Sequence, residues 1–187
     1  MTLPLDEKIA SIERALAAAR IPHAFGGALA LAYYATPRGT HDIDLNAFVP
    51  VARAERVLQV LEALGVDRPD ASALGQIRDR GQARLHWGHT PIDLFFSYDA
   101  LHEGCVKRIR RVPFGEGTMI SILSAEDLAI FKALFDRPKD WSDLGEMLYA
   151  LGADFDEGYA LGWLRRILAK DDARLARFAK ALRHQIS

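Results

Sequence analysis

The strand-like pattern of this sequence stops at Leu123. Before that residue, short segments with alternating apolar positions come between amphipathic helical segments, whereas from Ser124 onward the apolar residues recur only at helical spacing. A period of two residues indicates a strand, and a period near 3.6 indicates a helix. We therefore predict an α/β (α+β) fold: a small mixed β-sheet with helices packed on it in residues 1–123, followed by a C-terminal helical region in residues 124–187.

Proline and glycine residues separate the predicted elements. The opening helix has an apolar stripe that begins at Leu5, and its charged residues Lys8 and Glu13 lie off that stripe. A short helix is expected at 28–35 and another at 99–109, whereas 65–81 has no clear period and is expected to be a loop. The predicted strands are residues 23–25, 42–49, 83–88, 91–97, 111–114 and 119–123.

Two helix starts are indicated in the second part of the chain. Ser124 precedes Asp127 by three residues, which resembles a capping box. Asp140 is expected to cap the following helix.

The composition excludes several classes of protein. Half of the 187 residues are apolar and 26% are charged, which is typical of a globular chain and excludes a disordered tail or a fibrous repeat. The net charge of −1 argues against a uniformly basic nucleic-acid binder, although a local patch stays open. No apolar run reaches the ~20 residues that cross a bilayer, so no membrane span is expected. The single cysteine, Cys105, cannot form an internal disulfide, and we expect a cytoplasmic protein.

Three aspartates lie on predicted strands among apolar residues, where an ionised side chain is unfavourable without a partner. In a strand over 42–49, Asp42 and Asp44 share one face, about 6.6 Å apart at ~3.3 Å per residue. Asp93 lies among apolar residues of the predicted strand 91–97. If the two strands are neighbours, each carboxylate pair at ~4 Å repels by roughly 4 kcal/mol at an effective dielectric near 20.

A divalent cation would offset this repulsion. Carboxylates select hard cations such as Mg²⁺, which commonly bind substrate phosphates as well. The spread of the side chains suits two ions ~3.5–4 Å apart, the arrangement used in phosphoryl or nucleotidyl transfer. Upstream, Gly26 and Gly27 lie at a predicted strand-to-helix turn, where glycines let the backbone approach a phosphate.

Structural interpretations of these residues stay open. Asp42 can cap a turn after Gly39, Asp44 can be a solvated residue on an edge strand, and the glycine pair can be a plain turn. Asp93 can pair with Arg84 or Arg38.

Together these motifs resemble the nucleotidyltransferase superfamily that includes DNA polymerase beta, and within it they are most similar to AbiEii-type toxin nucleotidyltransferases. The similarity covers about residues 21–151. The matching motifs are Phe25-Gly26-Gly27, Arg38-x-Thr40-x-Asp42-Ile43-Asp44-Leu45, Ile92-Asp93-Leu94, Leu123-Ser124-x-Glu126-Asp127-Leu128 with Lys132, and Arg137-x-Lys139-Asp140-x-x-Asp143-Leu144.

The resemblance implies a small mixed sheet and a helical part that closes a nucleotide cleft. It implies that Asp42 and Asp44 bind two Mg²⁺ ions and that Asp93 is a third metal-binding carboxylate that assists the acceptor hydroxyl. The resemblance also implies that the nucleotide is bound by Gly26, Gly27, Arg38 and Lys132. For Lys132 the alternative is a surface lysine whose stem covers apolar residues.

The leading functional hypothesis is thus a Mg²⁺-dependent transfer of NMP from an NTP such as ATP to an acceptor hydroxyl. The acceptor stays open among RNA such as tRNA, a protein and a small molecule such as an aminoglycoside, and a toxin role would imply a cognate antitoxin. The alternative is a non-catalytic nucleotide-binding or regulatory module of the same fold. A third hypothesis, a two-metal phosphodiesterase or nuclease, uses the same carboxylates.

Other polar residues have simpler interpretations. His86, His89 and Asp93 would suit zinc only if a bulge placed both histidines on one face. His23 is expected to be a hydrogen-bonded structural histidine, and Cys105 a buried inert thiol. A basic patch for nucleic acid would comprise Lys107, Arg108, Arg110 and Arg111 with Arg78, Arg80 and Arg84; the alternative is a strand edge protected by charge.

Overall fold

The computed structural model describes residues 3–97 and 99–183. Its backbone contacts divide the chain into two compact units. The first takes in the residues up to Leu29 and Gly39–Leu123, and the second takes in Ala30–Arg38 and the residues from Ser124 on. The domain limits 1–123 and 124–187 remain a prediction.

The first unit is built on a six-stranded mixed sheet in the order β3-β4-β2-β1-β6-β5. The strands are β1 (His23–Phe25), β2 (Ile43–Pro50), β3 (Gln82–Trp87), β4 (Thr90–Ser97), β5 (Arg110–Pro113) and β6 (Met119–Ile122). β2 pairs with β4 and β1 with β6 in parallel, while the β1–β2, β3–β4 and β5–β6 pairs are antiparallel. The predicted α+β class with a small mixed sheet is confirmed.

Nine helices are present in the described residues. They are α1 (Leu5–Ala18), α2 (Gly27–Leu31), α3 (Ala54–Ala63), α4 (Ala71–Arg80), α5 (Ala100–Arg108), α6 (Ala125–Phe135), α7 (Pro138–Leu151), α8 (Glu157–Ile167) and α9 (Ala173–Arg183). None of them is long and apolar enough to pass through a bilayer.

Helix α4 corrects the expectation of a loop at 65–81. Asp70 caps its first turn by accepting a hydrogen bond from the Ala73 amide at 2.7 Å, and Gly81 ends it in the left-handed conformation at φ 67°. Ile77 is buried, while most other side chains of α4 are exposed. The helix therefore has almost no apolar stripe, and its caps were the available signal.

Alternation along β3 and β4 gives this edge of the sheet a buried side and an open side. On the buried side lie Ala83, Leu85 and Trp87 of β3 and Ile92, Leu94 and Phe96 of β4. Side chains between them, such as Arg84 on β3 and Asp93 on β4, are exposed or half-exposed. The charged residues of these strands therefore lie on the open side.

Two charged residues of α1 are buried, contrary to their expected place off the apolar stripe. Lys8 donates hydrogen bonds to the Trp87 carbonyl at 2.7 Å and to the Thr90 hydroxyl at 2.8 Å, across the β3–β4 turn. Glu13 accepts hydrogen bonds from His23 Nε2 at 3.0 Å, from the Ser121 amide at 2.8 Å and from Arg111. Both residues satisfy buried polar groups of the sheet, which offsets the cost of burying their charge.

In the second unit, Ser124 caps α6 as predicted. Its hydroxyl accepts a hydrogen bond from the Asp127 amide at 3.2 Å and donates one to the Asp127 carboxylate at 2.7 Å. The cap of α7 differs from the prediction, because Arg137 takes the cap position and Asp140 lies buried in the first turn. Asp140 instead pairs with charged side chains, described below.

Candidate functional site

Of the three carboxylates predicted to meet on one face, two lie on neighbouring strands. In the parallel β2–β4 pair, Asp44 stands directly opposite Asp93. Register partners project to the same face of a sheet, and adjacent strands lie ~4.8 Å apart. Asp42 lies in the bend immediately before β2, so the prediction that Asp42 and Asp44 share one face of a strand over 42–49 is wrong for Asp42. All three acidic residues therefore come from the same two neighbouring chain segments.

Arg84 continues this row on the edge strand. It stands opposite Asp93 in the β3–β4 pair, so Asp44, Asp93 and Arg84 lie side by side on three strands. Its Nε and Nη2 donate to the two Asp93 oxygens at 2.7 Å each. The alternative pairing of Asp93 with Arg84 is thus what the structure contains, whereas Arg38 contacts a different aspartate.

Arg84 interacts electrostatically with Asp42 and Asp44 as well as with Asp93. The pKa of its guanidinium is raised, first by the hydrogen bonds and charge of Asp93 and then by the charges of Asp42 and Asp44. The pair is accessible to water, since the Arg84 side chain is 56% exposed and that of Asp93 is 20% exposed. From the sequence, Arg84 is a possible partner of Asp93 or a member of a basic patch. Counting equal distances from the β3–β4 turn pairs positions 84 and 93 and would have found this contact.

Asp42 is held by its own turn. The Thr40 hydroxyl donates to its carboxylate, and the Asp42 amide lies 3.4 Å from the same hydroxyl oxygen. This short-range bonding matches the interpretation of Asp42 as a turn residue after Gly39.

The glycine pair packs directly on Asp44. The Gly26 amide donates to the Asp44 carbonyl at 2.8 Å. Gly27 has φ 53°, and a methyl group added there would overlap the Asp44 carboxylate. A side chain at Gly26 would be crowded by the Asn46 amide at 3.1 Å. Glycine is therefore required at position 27 for the backbone to approach Asp44, whereas position 26 is only crowded, and the phosphate-binding role of both glycines remains a prediction.

Asp42, Asp44 and Asp93, which we call the acidic row, are a donor set that suits a hard divalent cation. Three carboxylates supply the oxygen ligands that Mg²⁺ prefers. Within residues 3–97 and 99–183, however, no three acidic, histidine or cysteine side chains already surround a common point. Asp42 and Asp93 are turned toward Thr40 and Arg84. Cation binding therefore needs these two carboxylates to reorient. The same finding shows that His86, His89 and Asp93 are not gathered as a zinc site.

Two residues assigned to nucleotide binding share a partner in the second unit. Lys132 Nζ donates to Asp143 Oδ2 at 2.6 Å and lies 3.7 Å from Asp140 Oδ1. Arg38 binds both Asp143 oxygens, at 3.0 and 2.9 Å, and Arg137 binds both Asp140 oxygens, at 2.6 and 3.2 Å. We call these five side chains the lysine network.

The centre of the lysine network is buried: Lys132, Asp140 and Asp143 are buried, whereas Arg38 and Arg137 are exposed. Lys132 is 4% exposed, so the alternative of a surface lysine is wrong. Burial raises the pKa of Asp143, but its hydrogen bonds from Arg38 and Lys132 outweigh this and lower that pKa below its usual value. The phosphate roles of Arg38 and Lys132 remain predictions, and Asp143 is a partner that sequence analysis did not assign.

The remaining sequence candidates behave as structural residues where the structure tests them. His23 is buried between the Ile21 carbonyl and Glu13, and Cys105 is buried in α5. Two residues of the candidate basic patch form ion pairs: Arg111 contacts Glu13, and Arg78 contacts Asp79.

Solved structures share this architecture. The solution structure of the antibiotic-resistance factor ANT(2'')-Ia matches with a TM-score of 0.62 at 18% identity over 89% of this chain and 95% of that chain. The lincosamide antibiotic adenylyltransferase LnuA, with lincomycin bound, matches with a TM-score of 0.53 at 14% identity over 79% of this chain and 98% of that chain. A nucleotidyltransferase-like protein from Paracoccidioides brasiliensis matches with a TM-score of 0.51 at 14% identity, over 96% and 92% of the two chains.

The fold is that of a nucleotidyltransferase. At these identities the likeness concerns the fold alone. No family model matches the sequence, and no curated protein matches it. The resemblance to the superfamily is therefore confirmed at the level of the nucleotidyltransferase fold, while a closer relation to AbiEii-type toxins remains a prediction.

Proposed function

We propose that this protein is a Mg²⁺-dependent nucleotidyltransferase that transfers NMP from an NTP to an acceptor hydroxyl and releases pyrophosphate. The observation that carries the proposal is the placement of Asp44 opposite Asp93 on neighbouring parallel strands, with Gly27 against Asp44. The nucleotidyltransferase fold of the chain supports the same reaction class.

In this proposal Asp42, Asp44 and Asp93 hold two Mg²⁺ ions, which supply positive charge to the reacting phosphate. Asp93 also accepts a hydrogen bond from the acceptor hydroxyl and takes its proton as the new bond to phosphorus forms. The turn at Gly26 and Gly27 brings the backbone next to Asp44, and in this proposal it contacts the triphosphate there.

For the acceptor, we propose a small polyhydroxylated molecule. ANT(2'')-Ia has been solved with adenylyl-2''-tobramycin and LnuA with lincomycin, and both cover most of this chain. On β3 and β4 the charged side chains lie opposite the buried apolar ones, and the Asp93 side chain there is 20% exposed. Transfer to tRNA or to a protein, and a toxin role with an antitoxin partner, are the competing outcomes.

The test is label transfer from each α-labelled NTP, with Mg²⁺, to an aminoglycoside panel, a lincosamide panel, total tRNA and a cell extract. We expect labelled small-molecule product and its loss in Asp44→Asn. Asp79→Asn is the control, because it makes the same substitution at an exposed aspartate outside the proposed site, paired with Arg78. Label transfer that persists unchanged in Asp44→Asn would refute the proposed site, and transfer only to tRNA or protein would replace the acceptor.

The non-catalytic alternative makes the opposite prediction. A regulatory module of the same fold would give no labelled product with any NTP. Folded protein, checked by circular dichroism, that transfers no label to any of the four acceptor pools would favour that alternative.

A further inference from the structure

Arg84 completely occupies the hydrogen-bonding edge that Asp93 turns toward it. One Asp93 oxygen accepts from Nε and the other from Nη2, each at 2.7 Å. A bidentate guanidinium pair of this kind fixes the plane of the carboxylate as well as its position. Asp93 therefore cannot swing toward Asp44 unless this pair opens.

The location of Arg84 allows the pair to open. β3 is an edge strand, and the Arg84 side chain is more than half exposed. An exposed ion pair contributes little to folding because water competes for both partners. The guanidinium can therefore leave Asp93 for solvent without disturbing the buried side of β3.

A divalent cation and this guanidinium compete for the same group. The three carboxylates and Arg84 together carry two net negative charges, three negative against one positive. A cation bound among the carboxylates withdraws electron density from the Asp93 oxygens that accept from Arg84, and it repels the guanidinium charge. Each of the two therefore weakens the binding of the other.

We propose that Arg84 is a positioning residue that holds Asp93 in the cation-free protein and is displaced from it when a divalent cation binds. This inference rests on the proposed function. Its consequence is that Arg84 lowers the affinity of the acidic row for the cation. Removing the guanidinium should strengthen cation binding, whereas removing an ordinary ligand or structural residue would weaken it.

The test is a Mn²⁺ titration of the whole chain followed by electron paramagnetic resonance, in which bound Mn²⁺ is lost from the free-ion signal. The variants are Arg84→Met, Arg84→Lys, Asp44→Asn and the control Arg78→Met. Methionine keeps most of the apolar stem and removes the charge. Arg78 is also an exposed arginine paired with an aspartate, but that aspartate is Asp79.

We expect Arg84→Met to bind Mn²⁺ on the order of tenfold more tightly than the parent, because one competing charge near the site is gone. Arg84→Lys should bind with intermediate affinity, since lysine keeps the charge but not the bidentate pair. Arg78→Met should bind like the parent, and Asp44→Asn should lose the site.

The failures are distinguishable. If Asp44→Asn abolishes Mn²⁺ binding but Arg84→Met binds equally or more weakly than the parent, the role of Arg84 is refuted and the proposed function stands. If the parent binds no Mn²⁺, or if Asp44→Asn binds it unchanged, the cation site itself is refuted and the role of Arg84 with it. Urea unfolding of each variant establishes that the compared proteins are folded.

Discussion

The contact between Gly27 and Asp44 makes one residue type obligatory at a turn. Gly27 combines a positive φ with a carboxylate lying where its side chain would be. Gly39, in contrast, has open space within 4 Å of the position that a methyl group would take, and its φ is not positive. The two glycines of the same unit therefore differ in what they tolerate.

We predict that Gly27→Ala lowers the free energy of unfolding by about 2 kcal/mol or more, because alanine in the left-handed region is strained and its methyl displaces Asp44. Gly39→Ala should change that free energy by less than about 1 kcal/mol. Urea denaturation of the two variants and the parent measures both. Equal stability of the two variants would contradict the described packing of Gly27.

Lys132 is the buried cation of the lysine network, so its removal leaves Asp140 and Asp143 with fewer positive partners. We predict that Lys132→Met lowers the free energy of unfolding by about 3 kcal/mol, as is usual when one partner of a buried ion pair is lost. Lys139→Met is the control, since Lys139 is exposed on the first turn of α7. Unchanged stability of Lys132→Met in urea would contradict the structural role of this lysine.

At the scale of elements, α1 is attached to the sheet by polar contacts as well as by its apolar stripe. Glu13 connects α1 to β1 through His23 and to β6 through the Ser121 amide. Burial raises the pKa of Glu13, but the hydrogen bonds from His23 and Ser121 and the charges of His23 and Arg111 lower it to about 2. The ionised form of Glu13 is therefore the one that holds the helix in place.

This lowered pKa predicts a pH dependence of stability. The contribution of Glu13 is complete above the ordinary pKa of about 4.5 and is lost as the pH falls toward about 2. Urea unfolding should show Glu13→Gln less stable than the parent by about 3 kcal/mol at pH 6, with a smaller difference at pH 3. Glu7→Gln, at an exposed position of α1, should show no such trend.

Sequence patterns identified elements where apolar periodicity was strong and missed them where capping replaced it. The β3–β4 and β5–β6 pairs were predicted within one or two residues, because alternation and turn residues agree there. Helix α4 was missed because Ile77 is its one buried side chain, and a single apolar position makes no stripe. Lys8 and Glu13 were predicted to lie outside the core. They are buried because they bond polar groups of strands far away in the sequence, and a helical pattern carries no information about those contacts.

At the scale of the whole molecule, the acidic row follows from topology. Adjacent Asp44 and Asp93 require β2 and β4 to be parallel neighbours, and β4 lies between β2 and β3 in the sheet. The sequence suggested the carboxylates, but their alignment depends on strand order, which local patterns do not encode. The arrangement of Arg38 with Lys132 depends likewise on residues 30–38 joining the second unit.

We predict that an NTP with Mg²⁺ stabilises the whole chain, because a ligand that binds the folded state shifts unfolding by mass action. At ~100 times its Kd the ligand adds about 2.7 kcal/mol. Thermal unfolding should show a rise in Tm with NTP and Mg²⁺, and less with NTP and EDTA. An equal rise under both conditions would contradict a cation-dependent nucleotide site.

The burial of Lys8 has a practical consequence. Its amine is enclosed between the Trp87 carbonyl and the Thr90 hydroxyl, so an amine-reactive reagent reaches it only when the β3–β4 turn separates from α1. Exposed Lys107 and Lys139 react in the folded state and serve as internal standards. Mass-spectrometric footprinting of the Lys8 amine would therefore report how often α1 separates from the turn that joins the Arg84 strand to the Asp93 strand.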